Sequence, residues 1–157
     1  MSEKFRLSDF EPIIREVVES GGEFVMKTHG TSMLPLLHDG SDSVVLASKS
    51  YFEIGDVVFY KRPNGQYVLH RIVRKRADGF VMRGDNQIIN EYGITSEHII
   101  AVMRAFIRNG KRTDVSDADY QKYVSTLKLR YRKKKIRAFI TSAKKKLESP
   151  FKEKGDK

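Results

Sequence analysis

The chain reads as a mainly β protein: a sheet or barrel with a short helix ahead of it and basic helical sequence behind it. Three observations predict this. Between residues 24 and 106, short apolar runs recur at close intervals, divided by turn signals such as Asp39-Gly40, Pro63-Asn64-Gly65 and Asp78-Gly79. Ahead of them, apolar residues recur at helical spacing. After Asp114 the composition turns sharply toward lysine and arginine.

The N-terminal segment, 1–22, reads as an amphipathic helix. Ser8 followed three residues later by Glu11 makes a capping box, and Pro12 falls in the tolerated first turn. Phe10, Ile13, Ile14, Val17 and Val18 keep one apolar face until Gly21-Gly22 stops the helix. That face is expected to pack on the domain behind it, because Glu11, Glu16 and Glu19 make the polar side acidic and anionic lipid would repel it.

Strands are predicted at 24–28, 43–47, 56–60, 67–74, 80–83 and 99–106, which together make a β-rich domain over 23–114. The remainder, 115–157, is a basic helical extension. Tyr120, Val124, Leu127 and Tyr131 share one helical face. Ile136, Phe139, Ile140, Ala143 and Leu147 form another, which a continuous helix would place nearly opposite, so the pattern predicts two helices or one helix with two uses. From Lys128 onward there are thirteen bases and three acids, and this +10 equals the net charge of the whole chain.

A chain of 157 residues with 39% hydrophobic content can fill one core, and the absence of cysteine excludes a disulfide framework. Its longest apolar runs, such as 57–60 and 99–103, fall far short of the roughly 20 residues needed to span a bilayer. The N-terminus shows no charged-then-apolar export design. The expectation is a cytoplasmic protein whose basic C-terminal helix touches anionic membrane, with nucleic acid as the weaker partner.

Candidate chemistry centres on Gly30-Thr31-Ser32-Met33-Leu34-Pro35, where a glycine-led turn presents a serine and the proline keeps the segment from becoming helix. Leu69-His70-Arg71-Ile72-Val73 then places a histidine in a predicted strand, and Arg83-Gly84-Asp85-Asn86 follows as a glycine turn carrying an acid. A serine hydroxyl needs a neighbouring base, and a neutral imidazole can take its proton and return it to the leaving amine. An acid beside the imidazole fixes its tautomer and stabilises the imidazolium.

Taken together, these segments resemble the signal peptidase and SOS-repressor superfamily of serine peptidases, over roughly residues 25–106. With His70 where other branches carry a lysine, the chain is similar to the histidine-type signal peptidases, which also have a Gly-Asp-Asn turn after the histidine strand. The resemblance implies a coiled β-sheet fold, Ser32 as nucleophile and His70 as base. It implies Asp85 as the third member, with Glu91 the alternative because Asn90-Glu91 stands where relatives have paired aspartates. Gly30 occupies a position where some bacterial relatives carry a hydroxyl, so the oxyanion would be held by backbone N–H groups of Thr31 and Ser32, each such donor being worth about 3 kcal/mol.

Among the other histidines, His29, His38 and His98, His29 lies nearest the serine in sequence. With no cysteine, no histidine pair at ligand spacing and no glycine-rich phosphate loop, no cofactor or metal is expected. The resemblance implies a peptide or protein substrate, expected to be a leader or precursor with small residues beside the scissile bond. A self-cleaving repressor relative is disfavoured, since about two dozen residues ahead of the serine turn leave no room for a helix-turn-helix domain and a cleavage segment. An inactive binding module of the same fold is the remaining alternative. No candidate catalytic residue follows Tyr131, so removing what lies beyond it is expected to leave the chemistry intact.

Overall fold

The structure is a computed structural model and describes residues 7–148; residues 1–6 and 149–157, the outer ends of the two predicted terminal segments, lie outside the described residues. Its elements run α1 (Leu7–Glu19), β1 (Phe24–Lys27), β2 (Ser43–Ala47), β3 (Val57–Lys61), β4 (Tyr67–Arg76), β5 (Gly79–Arg83), β6 (Glu91–Ile94), β7 (Ile99–Arg108), β8 (Lys111–Asp114) and α2 (Ala118–Glu148). The strands form one eight-stranded antiparallel sheet in the order β1-β2-β7-β3-β4-β5-β6, with β8 paired to β7. The sheet is mainly what the apolar runs predict.

Two strands have no counterpart in the predicted set. β6 has exposed Tyr92 and left-handed Gly93 in its middle, so it lacks the alternation that marks a half-buried strand. β8 is short and polar, yet Asn109 and Gly110 both adopt positive φ and close the tight hairpin that pairs it with β7.

Successive residues of a strand point to opposite faces, and β3 fills two clusters in that way. Val57 and Phe59 join Leu37, Val44, Met103 and the helix residues Ile14 and Val18, while Val58 and Tyr60 join Ile72, Met82, Ile94 and Val102. α1 buries Ile14 and Val18 and rests Phe10 on the first cluster, leaving Ile13 48% exposed. The predicted capping box is not formed. The Ser8 hydroxyl meets Asp9, and Glu11 reaches across to Lys61 and Tyr67. Burial would raise the Glu11 carboxyl, but hydrogen bonds from Tyr67, Lys61 and Arg15 outweigh it and bring the pKa to about 2.

Of the two readings of the C-terminal segment, the structure shows one continuous helix of 31 residues with two uses. Tyr120 is buried, Tyr123 and Val124 pack on the first cluster, and Tyr131 lies under the Arg83 guanidinium at 3.6 Å from the ring centre. Ile136, Phe139 and Ile140 are exposed. The Leu147 side chain lies outside the described residues. No helix among the described residues is long and apolar enough to cross a membrane.

Candidate active site

Ser32 sits in the 28–42 loop between β1 and β2, and the loop is fastened at both ends. Thr28 donates its hydroxyl to the carbonyls of His38 and Asp42, and its N–H to Asp42. Buried Asp42 accepts from the Arg108 guanidinium and the His38 N–H, and Arg108 also reaches the Leu36 carbonyl. Met33, Leu36 and Leu37 then turn inward as core. Gly30 is left-handed, with φ of 87°, a conformation that a side chain would strain.

The Gly84-Asp85-Asn86 turn holds the serine turn from the other side. The Asn86 N–H donates to the Ser32 carbonyl at 2.8 Å, and its side-chain amide donates to the Thr31 carbonyl at 2.9 Å. A Cβ at position 84 would lie 2.5 Å from the Ser32 carbonyl oxygen, so only glycine permits this approach. Lys134 of α2 donates to both the main-chain and side-chain oxygens of Asn86. The turn is therefore a strut between α2 and the serine.

His70, in β4, is 3% exposed. It lines the same 360 Å³ pocket as Ser32, together with Met26, Met33, Leu37 and Leu69. Its Nδ1 lies 3.2 Å from the Tyr60 hydroxyl and 3.8 Å from Glu91 Oε2. Tyr60 donates to that same Oε2 at 2.8 Å, and Arg62 grips Glu91 through Nε and Nη2, both at 2.7 Å. Burial pushes the His70 pKa down to about 4, against the Glu91 charge, which raises it; Arg62 lowers it and Asp85 raises it. Burial would raise the Glu91 carboxyl, but Arg62 and Tyr60 more than offset this and keep it below the usual range.

Asp85 is placed elsewhere. Its carboxylate takes both Nε and Nη2 of Arg71, at 2.8 and 2.6 Å, and the Tyr123 hydroxyl at 3.0 Å. Strand parity explains the division. Arg71 and Arg83 are register partners in β4 and β5, so Asp85 continues the Arg71 side. Met82 pairs with Ile72 on one side and Glu91 on the other, which carries Glu91 to the face of Ile72, His70 and Tyr60. Thus Glu91, the alternative acid, stands by the histidine, while Asp85 ties the sheet to α2.

Tyr60 and Arg62 were not singled out by the sequence. Tyr60 looks like one more apolar position in a buried strand, and only its diagonal placement toward His70 reveals its hydroxyl. His29 also lines the pocket but is largely exposed beside Asp39, at 3.7 Å. His38 contributes its N–H to Asp42, and the His98 ring caps Thr95. No cluster of three or more His, Cys, Asp or Glu among the described residues could hold a metal ion.

The sheet thus brings a turn serine and a buried strand histidine to one pocket. Residues 2–104 match the family model described as Peptidase S24-like, and the chain belongs to that family. This membership fits a serine peptidase or a self-cleaving relative. Comparison with curated proteins and with solved structures returned no match.

Proposed function

We propose that the protein is a serine endopeptidase in which Ser32 attacks the scissile carbonyl and His70 is its general base. The observation that carries this reading is that residues 32 and 70, far apart in sequence, line one small, largely apolar pocket. Nδ1 of His70 is turned to Tyr60, which leaves Nε2 for the serine proton. A histidine with pKa near 4 is neutral at pH 7 and ready to accept. The proton taken by Nε2 passes to the leaving amine, and backbone N–H groups of Thr31 and Ser32 would face the oxyanion. Glu91 supplies the negative charge that supports the imidazolium.

The apolar pocket suits a small or medium aliphatic side chain next to the cleaved bond, as in a leader or precursor peptide. A second reading, of location, rests on α2: Ile136, Phe139 and Ile140 form an exposed stripe on the side opposite the docked face. Helical spacing sets Lys133 and Lys144 along one flank and Lys135 and Lys146 along the other. This pattern matches an anionic bilayer surface.

The test is incubation with a peptide library carrying small residues at varied positions, with products read by mass spectrometry. Cleavage by the wild type and none by Ser32→Ala supports the reading. Equal cleavage by both, or none by the wild type, overturns it.

A further inference from the structure

Three groups stand in line behind the imidazole. His70 Nδ1 meets the Tyr60 hydroxyl at 3.2 Å, and that hydroxyl meets Glu91 Oε2 at 2.8 Å. Direct contact between Nδ1 and Oε2, at 3.8 Å, is too long for a hydrogen bond. The direction of the chain follows from the acid. Glu91 is an ion-paired carboxylate with Arg62 on both oxygens, and a carboxylate only accepts. Tyr60 must therefore give its one proton to Glu91, and its lone pair is what remains to face Nδ1. An acceptor there requires the proton of neutral His70 to sit on Nδ1, leaving Nε2 bare.

We propose that Tyr60 is a positioning residue of the peptidase centre, a phenol inserted between base and acid that fixes the His70 tautomer and transmits the Glu91 charge. The proposal rests on the Ser32–His70 reading above for its consequence, but its geometry stands alone. Tyr60 is fully buried in the second core cluster, so its ring is held and the hydroxyl has no alternative position. During attack, the Ser32 proton moves to His70 Nε2 and the imidazolium keeps donating Nδ1–H to Tyr60. No proton leaves the phenol, since burial and the Glu91 carboxylate raise its pKa far above the ordinary value. The Nε2 proton then goes to the amine. The charged groups acting on His70 are Glu91 and Asp85, which favour its protonation, and Arg62, which opposes it.

The variant Tyr60→Phe keeps the ring and deletes only the hydroxyl. ¹⁵N NMR of His70 at neutral pH reads the tautomer directly, and steady-state kinetics on a cleaved peptide read the consequence. The expected wild-type signal is a single Nδ1–H tautomer. In Tyr60→Phe the tautomers mix, and kcat falls about 100-fold with KM nearly unchanged, the size expected when acid–base alignment is lost. A lost packing contact alone would change stability and leave tautomer and kcat alone. In a double-mutant cycle, Glu91→Gln added to Tyr60→Phe should cost little more than the larger single loss. An Nε2–H tautomer in the wild type overturns the proposal, as does a Tyr60→Phe enzyme with unchanged tautomer or unchanged kcat. If the wild type cleaves no peptide, the peptidase reading fails while the NMR result still decides the role of Tyr60.

Discussion

Two arginine–carboxylate pairs lie a few residues apart in this chain and do different work. Arg71 and Asp85 are 4% and 3% exposed, on the sheet face covered by α2, where Tyr120 and Tyr123 complete their hydrogen bonds. Arg62 and Glu91 are 29% and 22% exposed, and their pair is joined to His70 by Tyr60. The first pair is enclosed beneath α2; the second is more exposed and faces the imidazole. What separates them is one step of strand parity, since His70 and Arg71 are adjacent residues that point to opposite faces.

The comparison presupposes that His70 works with Ser32, so the largest effect expected is on that pair. Ser32→Ala and His70→Ala should each reduce kcat/KM at least about 1,000-fold, with circular dichroism unchanged, because nucleophile and base act as a unit. Turnover within a few-fold of wild type in either variant would remove the basis for assigning Glu91 a chemical role.

The two carboxylates should then part company. Glu91→Gln is expected to lower kcat by about 100-fold with little effect on KM, and to move the acid limb of the pH profile lower, since the Glu91 charge raises the His70 pKa. Asp85→Asn should leave kcat within a few-fold at a temperature where the protein is folded. It should cost about 3 kcal/mol in urea unfolding, because Arg71 is left buried without its counter-charge. A severe kcat loss in Asp85→Asn with intact stability would reverse the comparison.

A smaller effect concerns pH. With neutral His70 as the proposed base, kcat/KM should stay level from pH 7 to about 5 and fall to half near pH 4. The sign for stability is the same. With its folded pKa below the ordinary 6.5, His70 binds fewer protons in the folded state across that interval, so its contribution is intact above about 6.5, declines as pH falls toward 4 and is level below. An acid limb near 6.5 would mean that His70 is not buried as described.

The sequence made much of this legible, and particular residues show where it stopped. Six strands are visible because turn signals divide their apolar runs, and the Ser32, His70 and Gly84 segments are visible because their residue types and order match a known pattern. β8 went unpredicted because its four residues are too polar to look like a strand, although the Asn109-Gly110 turn ahead of it is the signal that could have found it. The alternation of His70 and Arg71 follows from β4 alone. Which acid falls on which face does not, because it depends on the register of β5 against β4 and of β6 against β5, and both pairings contain a bulge. Tyr60 was hidden for the same reason: a hydroxyl in an apolar strand says nothing until its diagonal neighbour is known.

The helix α2 repeats the contrast along its own length and gives the smallest effect on chemistry. Its inner side is tied to the serine turn through Lys134 and Asn86, so truncation after Tyr131 would also remove a contact that holds that turn. Between that side and the 86–91 loop lies a 770 Å³ groove lined by Arg62, Gln87, Ile88, Arg137 and Thr141, and Arg62 and Gln87 also border the pocket of Ser32 and His70. A change on the outer side is cleaner. Phe139 is 76% exposed, so Phe139→Glu disturbs no core contact while placing a negative charge in the middle of the apolar stripe. Cleavage of a short peptide in solution should be unchanged. Sedimentation with phosphatidylglycerol vesicles should be strong for wild type and weaken as salt rises, be weak with phosphatidylcholine, and be reduced at least about fivefold in the variant, since each charge near such a surface is worth about 1 kcal/mol. If vesicle binding is absent in the wild type, and nucleic acid is bound with a steep salt dependence instead, the basic flanks of α2 contact phosphate without the apolar stripe, and the membrane assignment falls.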